Sequence, residues 1–168
     1  MPRSFDVSVE SPIGVEQVFW AFGSRDYWTA RLSAFGGGTA ALDSLDLDNG
    51  GHVTVVVKLS LLRERLPRMV TQLHRGDLAM IRSERWYRIA EGRVRGDITA
   101  SVPGAPFSAA GEALLAPTPN GSRLDYTTTV AVRIPLVGGK IESYIGNQAS
   151  QEIAALQRFT TEWITDND

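Results

Sequence analysis

The chain has 168 residues, enough for one domain with a self-sufficient core, and it contains no cysteine, which excludes disulfides, thiolate metal sites and a cysteine nucleophile. Its 17 lysines and arginines against 19 aspartates and glutamates give a net charge of −2, without the basic surplus expected of a nucleic-acid binder. No uncharged stretch approaches the roughly 20 apolar residues of a bilayer span, and the first residues alternate like a strand where a signal peptide would carry an apolar run. The expectation is a single cytoplasmic domain over residues 1–168, with no stable membrane insertion and no nucleic-acid partner.

Phe5, Val7 and Val9 alternate with Asp6, Ser8 and Glu10, the period of a half-buried strand. Ser11-Pro12 reads as a helix start, serine as the cap and proline at the first helical position. Val15, Val18, Phe19 and Phe22 then share one helical face, and a second short helix follows through Tyr27, Trp28, Arg31, Leu32 and Phe35 to the glycines Gly36-Gly37-Gly38. Strands are expected over 39–48 and 52–60, joined at Asn49-Gly50, a pair suited to a tight hairpin. Further strands are expected over 78–89, 93–102 and 107–116. The last strand has the cleanest alternation: Leu124, Tyr126, Thr128, Val130, Val132 and Ile134 on one face, charged and small polar residues on the other. A helix from about 138 to 165 carries Ile141, Ile145, Ala149, Ile153, Leu156, Thr160 and Trp163 at three- and four-residue steps.

This order implies an α+β fold: a curved antiparallel sheet of about seven strands in the order β-αα-β6-α, wrapped around a long C-terminal helix. One face of such a sheet must be covered, and the final helix supplies the cover. Small residues in mid-strand, Gly96 and Ala100 in one strand and Ala109, Gly111 and Ala113 in the next, leave volume above the sheet. Either bulky neighbours such as Trp86 and Tyr126 fill it, or a guest does.

The element order and the amphipathic final helix resemble the START and Bet v 1-like helix-grip superfamily of polyketide cyclases, lipid-transfer domains and hormone receptors. Four features resemble an uncharacterised actinobacterial branch of it. They are Phe5-x-Val7 before Pro12, Leu66-Pro67, the run Pro135-Leu136-Val137-Gly138-Gly139-Lys140-Ile141-Glu142, and Phe159-Thr160-x-Glu162-Trp163. The resemblance implies a cavity between sheet and helix, but no particular ligand, because members of one fold bind and convert very different molecules.

Chemical motifs are sparse. His52 and His74 have no partner at ligand spacing, Asp43, Asp46 and Asp48 lack the glycine and terminal glutamate of a calcium loop, and Gly138-Gly139-Lys140 lacks phosphate-loop spacing. No metal and no cofactor is expected, and no residue is assigned a catalytic role. If Met80 and Trp86 face inward, period two puts Arg82 and Glu84 on the same face, where they would contact a polar ligand head. The expectation here is the opposite, that both face solvent, where charges are normally found. Leu62, Leu66, Met69, Val70 and Leu73, interleaved with arginines and broken by Pro67, read either as a lid with transient membrane contact or as a connector.

The leading expectation is binding or transport of an apolar small molecule such as a lipid or polyketide. Trp86, Ile98, Ala100, Ala109, Gly111, Tyr126, Thr128, Ile145 and Ala149 would line the pocket. One rival is a cyclase- or dehydratase-like enzyme using Arg82, Glu84 and Tyr126. Another is a filled, ligand-free domain acting through protein contacts.

Overall fold

The computed structural model describes residues 2–35, 39–61, 68–72 and 78–167. The opening alternation forms β1 (Arg3–Ser11), followed by α1 (Val15–Phe22) and α2 (Arg25–Phe35). Next come β2 (Ala40–Leu47), β3 (Val53–Leu61), the single turn α3 (Arg68–Thr71), β4 (Leu78–Ile89), β5 (Arg93–Ser101), β6 (Phe107–Thr118) and β7 (Gly121–Val132). The chain then runs into α4 (Gly138–Asn167). The seven strands make one antiparallel, curved sheet in the order β1-β7-β6-β5-β4-β3-β2, as expected for a helix-grip α+β fold.

Period-two patterning decides the faces. Every second residue of β7 from Ser122 to Val132 is buried, and Val53, Val55 and Val57 of β3 are buried on the same side of the sheet. Each large apolar side chain so buried contributes about 1.5–3 kcal/mol. β1 adds its own face by pairing with β7, Val7 opposite Tyr126 and Val9 opposite Leu124.

Two local expectations are corrected. Ser11 does not cap α1; it ends β1 opposite Ser122, and its hydroxyl shares a 2.7 Å hydrogen bond with Thr161 of α4. The helix begins at Val15 with Gly14 before it, and the Gln17 side chain accepts from the Gly14 N–H at 3.1 Å. The β2–β3 connection is also longer than a two-residue Asn49-Gly50 turn. The Asp48 carboxylate accepts from the Gly50 and His52 N–H groups at 2.8 and 2.9 Å, and Gly51 takes the positive φ of 80°. An aspartate that satisfies two loop donors outcompetes the tighter turn.

α4 has 30 residues and so spans about 45 Å at 1.5 Å per residue. Its first half is seated on β1 and β7. Gly146 lies so close to the Phe5 ring that any side chain there would collide with it, and Glu142 Oε2 accepts from the Val132 N–H at 2.9 Å. Its second half meets α1 and α2 in an aromatic cluster: Trp163 against Trp20 and Tyr27, and Phe159 against Phe35. A buried hydroxyl chain ties the helices together. Arg31 Nη1 donates to the Tyr27 hydroxyl, which meets Thr160 Oγ1 at 2.6 Å, while Thr160 donates to the Leu156 carbonyl.

The buried apolar side chains form two clusters. The larger joins α1, α2, β3 to β7 and the distal part of α4; the smaller gathers Val130, Val132 and Ile141 with Phe5, Phe107 and Ile145 around them. The core is therefore interrupted midway along α4.

The β7–α4 turn stores strain. Leu136 has φ of 73° and is fully exposed, so its side chain recovers nothing for a conformation that costs an L-residue roughly 1–2 kcal/mol. Leu136→Gly is expected to raise stability by about 0.5–1 kcal/mol, after part of the relief is offset by the greater freedom of unfolded glycine. Thermal unfolding checks it: a melting point unchanged or lowered would show that the turn tolerates leucine without strain.

Candidate functional site

Where the core is interrupted lies a partly open, mainly apolar cavity of about 210 Å³. Its floor is the concave face of β4 to β7 and its roof is the middle of α4. Eight of the nine expected pocket residues lie on its wall: Ile98 and Ala100 of β5, Ala109 and Gly111 of β6, Tyr126 and Thr128 of β7, Ile145 and Ala149 of α4. The register explains the hollow, since Ala100 is paired with Ala109 and Ile98 with Gly111, so two adjacent strands withdraw their side chains at one level. Phe107 and Val130 close the end toward the smaller cluster, while Tyr144, Gln148 and Glu152 stand exposed along the helix rim.

Trp86 lies elsewhere. It is paired with Gly96 on β5, and its ring occupies the space that a Cβ at Gly96 would need, with Phe22 stacked at 4.6 Å between ring centroids. One of the two small-residue gaps is thus filled from within the chain. At the other, the Tyr126 hydroxyl sits over Gly111 without closing the space beside Ala100 and Ala109.

The expectation that Arg82 and Glu84 face solvent is overturned. Glu84 is 2% exposed, on the same buried face as Trp86, and Arg82 lines the cavity. Burial of a carboxylate requires compensation, and three groups provide it. Trp86 Nε1 donates to Glu84 Oε1 at 3.1 Å, Arg82 Nε lies 3.0 Å from Oε2, and Arg31 Nη2 of α2 lies 3.8 Å from Oε2. Burial alone pushes the Glu84 carboxyl up, but the Arg82 and Arg31 charges and the hydrogen bond from Trp86 outweigh it and hold the group below its usual value. Arg31 is fixed in turn by the Trp28 ring, 4.6 Å from its guanidinium carbon, and by Tyr27. Burial of Tyr126 pushes its phenol up, keeping it protonated.

Arg31 completes this cluster and was not singled out from the sequence as a site residue. Its signal was its place on the Tyr27–Trp28–Leu32 face of α2, where a cation among aromatic residues needs a buried partner. The expected lid residues Leu62, Leu66 and Leu73 lie outside the described residues, and Met69 and Val70 fall in α3. Among the described residues no group of three or more histidines and carboxylates is placed to hold a metal, and no helix is long and apolar enough to cross a membrane.

A curved seven-stranded sheet gripping a long final helix over a mid-core cavity is the Bet v 1-like architecture. Among solved structures the chain is similar to Ara h 8.0201, with TM-score 0.60, 13% identity and 99% of both chains covered. It is also similar to TTHA0849 from Thermus thermophilus, with TM-score 0.58, 15% identity and 99% of both chains covered. At such identities the likeness concerns the fold. Residues 6–164 match the family described as "Protein of unknown function (DUF2505)", and the chain belongs to that family. Relatives include the uncharacterized proteins Rv0481c of Mycobacterium tuberculosis and Mb0491c of Mycobacterium bovis, each 46% identical over 173 residues and covering 99% of both chains. The actinobacterial resemblance read from the sequence thus stands.

Proposed function

We propose that this chain, acting as one domain, binds and carries an apolar small molecule between its sheet and α4. The observation that carries the reading is the interrupted core: a cavity of about 210 Å³ walled by Ile98, Ala100, Ala109, Val130 and Ile145 between the sheet and α4. Native cores leave few voids larger than a water molecule. An apolar space somewhat larger than the roughly 150 Å³ that accommodates benzene in an engineered cavity holds a one- or two-ring body or a short chain. Burial of such a guest at about 25 cal/mol per Å² supplies the affinity, and few polar contacts are needed to orient it.

The cyclase-like reading fits less well. General acid–base work needs groups titrating near neutrality. The polar side chains here are driven away from it, Tyr126 upward by burial and Glu84 downward by its arginines. The ligand-free reading requires a continuous core, which the cavity interrupts. A cysteine-free chain suits a reducing cytoplasm.

Native mass spectrometry of protein purified from its own host, followed by organic extraction, tests the reading. A stoichiometric apolar molecule is the expected result. An empty protein that also fails to take up fluorescent fatty acids or flat aromatic compounds would sink it.

A further inference from the structure

The cavity is mainly apolar; its polar lining is Arg82, Tyr126 and Thr128 on the sheet, with Gln148 and Glu152 exposed on the helix rim. Arg82 uses its Nε against Glu84 at 3.0 Å, off the hydrogen-bonding direction, and its two terminal nitrogens have no hydrogen-bond partner among the described residues. Its side chain retains 24% of its surface and lines the cavity. A guanidinium carries only donors and does not lose its proton, so whatever satisfies it must accept. The Tyr126 hydroxyl, over Gly111 on the same wall, likewise makes no hydrogen bond within the described chain. Its phenol is held protonated by burial, so it too is a donor.

The charges point the same way. The buried set is Arg31, Arg82 and Glu84, two cations around one carboxylate, with a surplus of one positive charge. Glu152 also acts on Arg82, but it stands exposed on the helix rim, where water screens it. The terminal nitrogens of Arg82 face the cavity, where an anion entering with the guest would replace water as their partner. Planar two-point recognition of a carboxylate is what an arginine fork does best.

We propose that the guest is an apolar monocarboxylic acid, its carboxylate held by the Arg82 terminal nitrogens and the Tyr126 hydroxyl and its body lying toward Ala109, Val130 and Ile145. This rests on the binding function proposed above and adds the chemistry of the head group. The acid enters with its polar end toward α2, and Glu84 serves as a positioning residue that aims Arg82 across the cavity.

The test needs no variant to begin with. Binding of 2-naphthoate and octanoate to the full chain is measured by titration calorimetry beside their neutral counterparts, 2-naphthamide and octanol. Each acid is expected to bind at least tenfold more tightly than its neutral partner. In Arg82→Gln the ratio of acid to neutral affinity is expected to shrink to within about twofold. If the neutral compounds bind the wild type as well as the acids do, the head-group assignment is overturned and the binding function stands. If neither series binds at millimolar concentration, both are overturned. An acid preference that survives intact in a folded Arg82→Gln protein also overturns the assignment, because the anion is then held by another group.

Discussion

Glu84→Ala is expected to lower the stability of the folded chain by about 3–5 kcal/mol, the usual cost of removing one partner from a buried ion pair. The substitution strips the shared counter-charge from two arginines, one in β4 and one in α2, and leaves Trp86 Nε1 without its acceptor. For a domain of this size the melting temperature should fall by roughly 10 °C or more. Glu16→Ala is the natural comparison. Glu16 accepts three hydrogen-bond contacts from Arg88, yet both side chains are more than half exposed, and its loss should cost no more than about 1 kcal/mol. Equal losses from the two substitutions would mean that the interior cluster is solvated far better than its burial implies. The same cluster sets an acid response. With a folded pKa below the unfolded value of about 4.3, the Glu84 contribution is fully present above that value and disappears as pH falls through the folded one. Wild-type stability should therefore decline more steeply below about pH 4 than that of Glu84→Gln, as urea titrations at a series of pH values would reveal.

Ala109→Phe should abolish guest binding, by at least tenfold, while leaving the protein folded and no less stable. Ala109 faces Ala100 across β5 and Val130 across β7, so a phenyl ring there projects into the hollow without displacing a neighbour. Filling an existing void adds buried apolar contact and tends to stabilise. The pairing of lost binding with an unchanged or raised melting point separates occlusion from unfolding. Retained affinity in a folded Ala109→Phe protein would place the occupant somewhere other than this cavity.

The strands and the final helix were legible because one face of each is buried and the two periods, 2.0 and 3.6, are written directly into Leu124–Val132 and Ile141–Trp163. The hollow was half legible. Small residues in β5 and β6 mark missing volume, but only the register shows that Gly96 lies opposite Trp86, which fills its gap, whereas Ala100 lies opposite Ala109, which does not. The inward direction of Arg82 and Glu84 followed from the period of β4, yet the general preference of charges for solvent argued against it. What reverses that preference is Arg31, 53 positions before Glu84, and a partner brought in by tertiary packing leaves no mark in the local pattern. Glu142 was hidden for the same reason, since its acceptor role is to the end of β7.

The order of the strands has a consequence for how the molecule comes into being. The first strand made is the last to find its place, for β1 pairs only with β7 and Ser11 must wait for Ser122. Until then β2 to β6 can zip as a meander, one hairpin after another, with the β6 edge open for pairing. Closing a loop of that length before any contact rewards it makes assembly slow compared with a helical bundle. The apolar face of β2 to β6 therefore finds its full cover only once β7 and α4, the last parts of the chain, are in place.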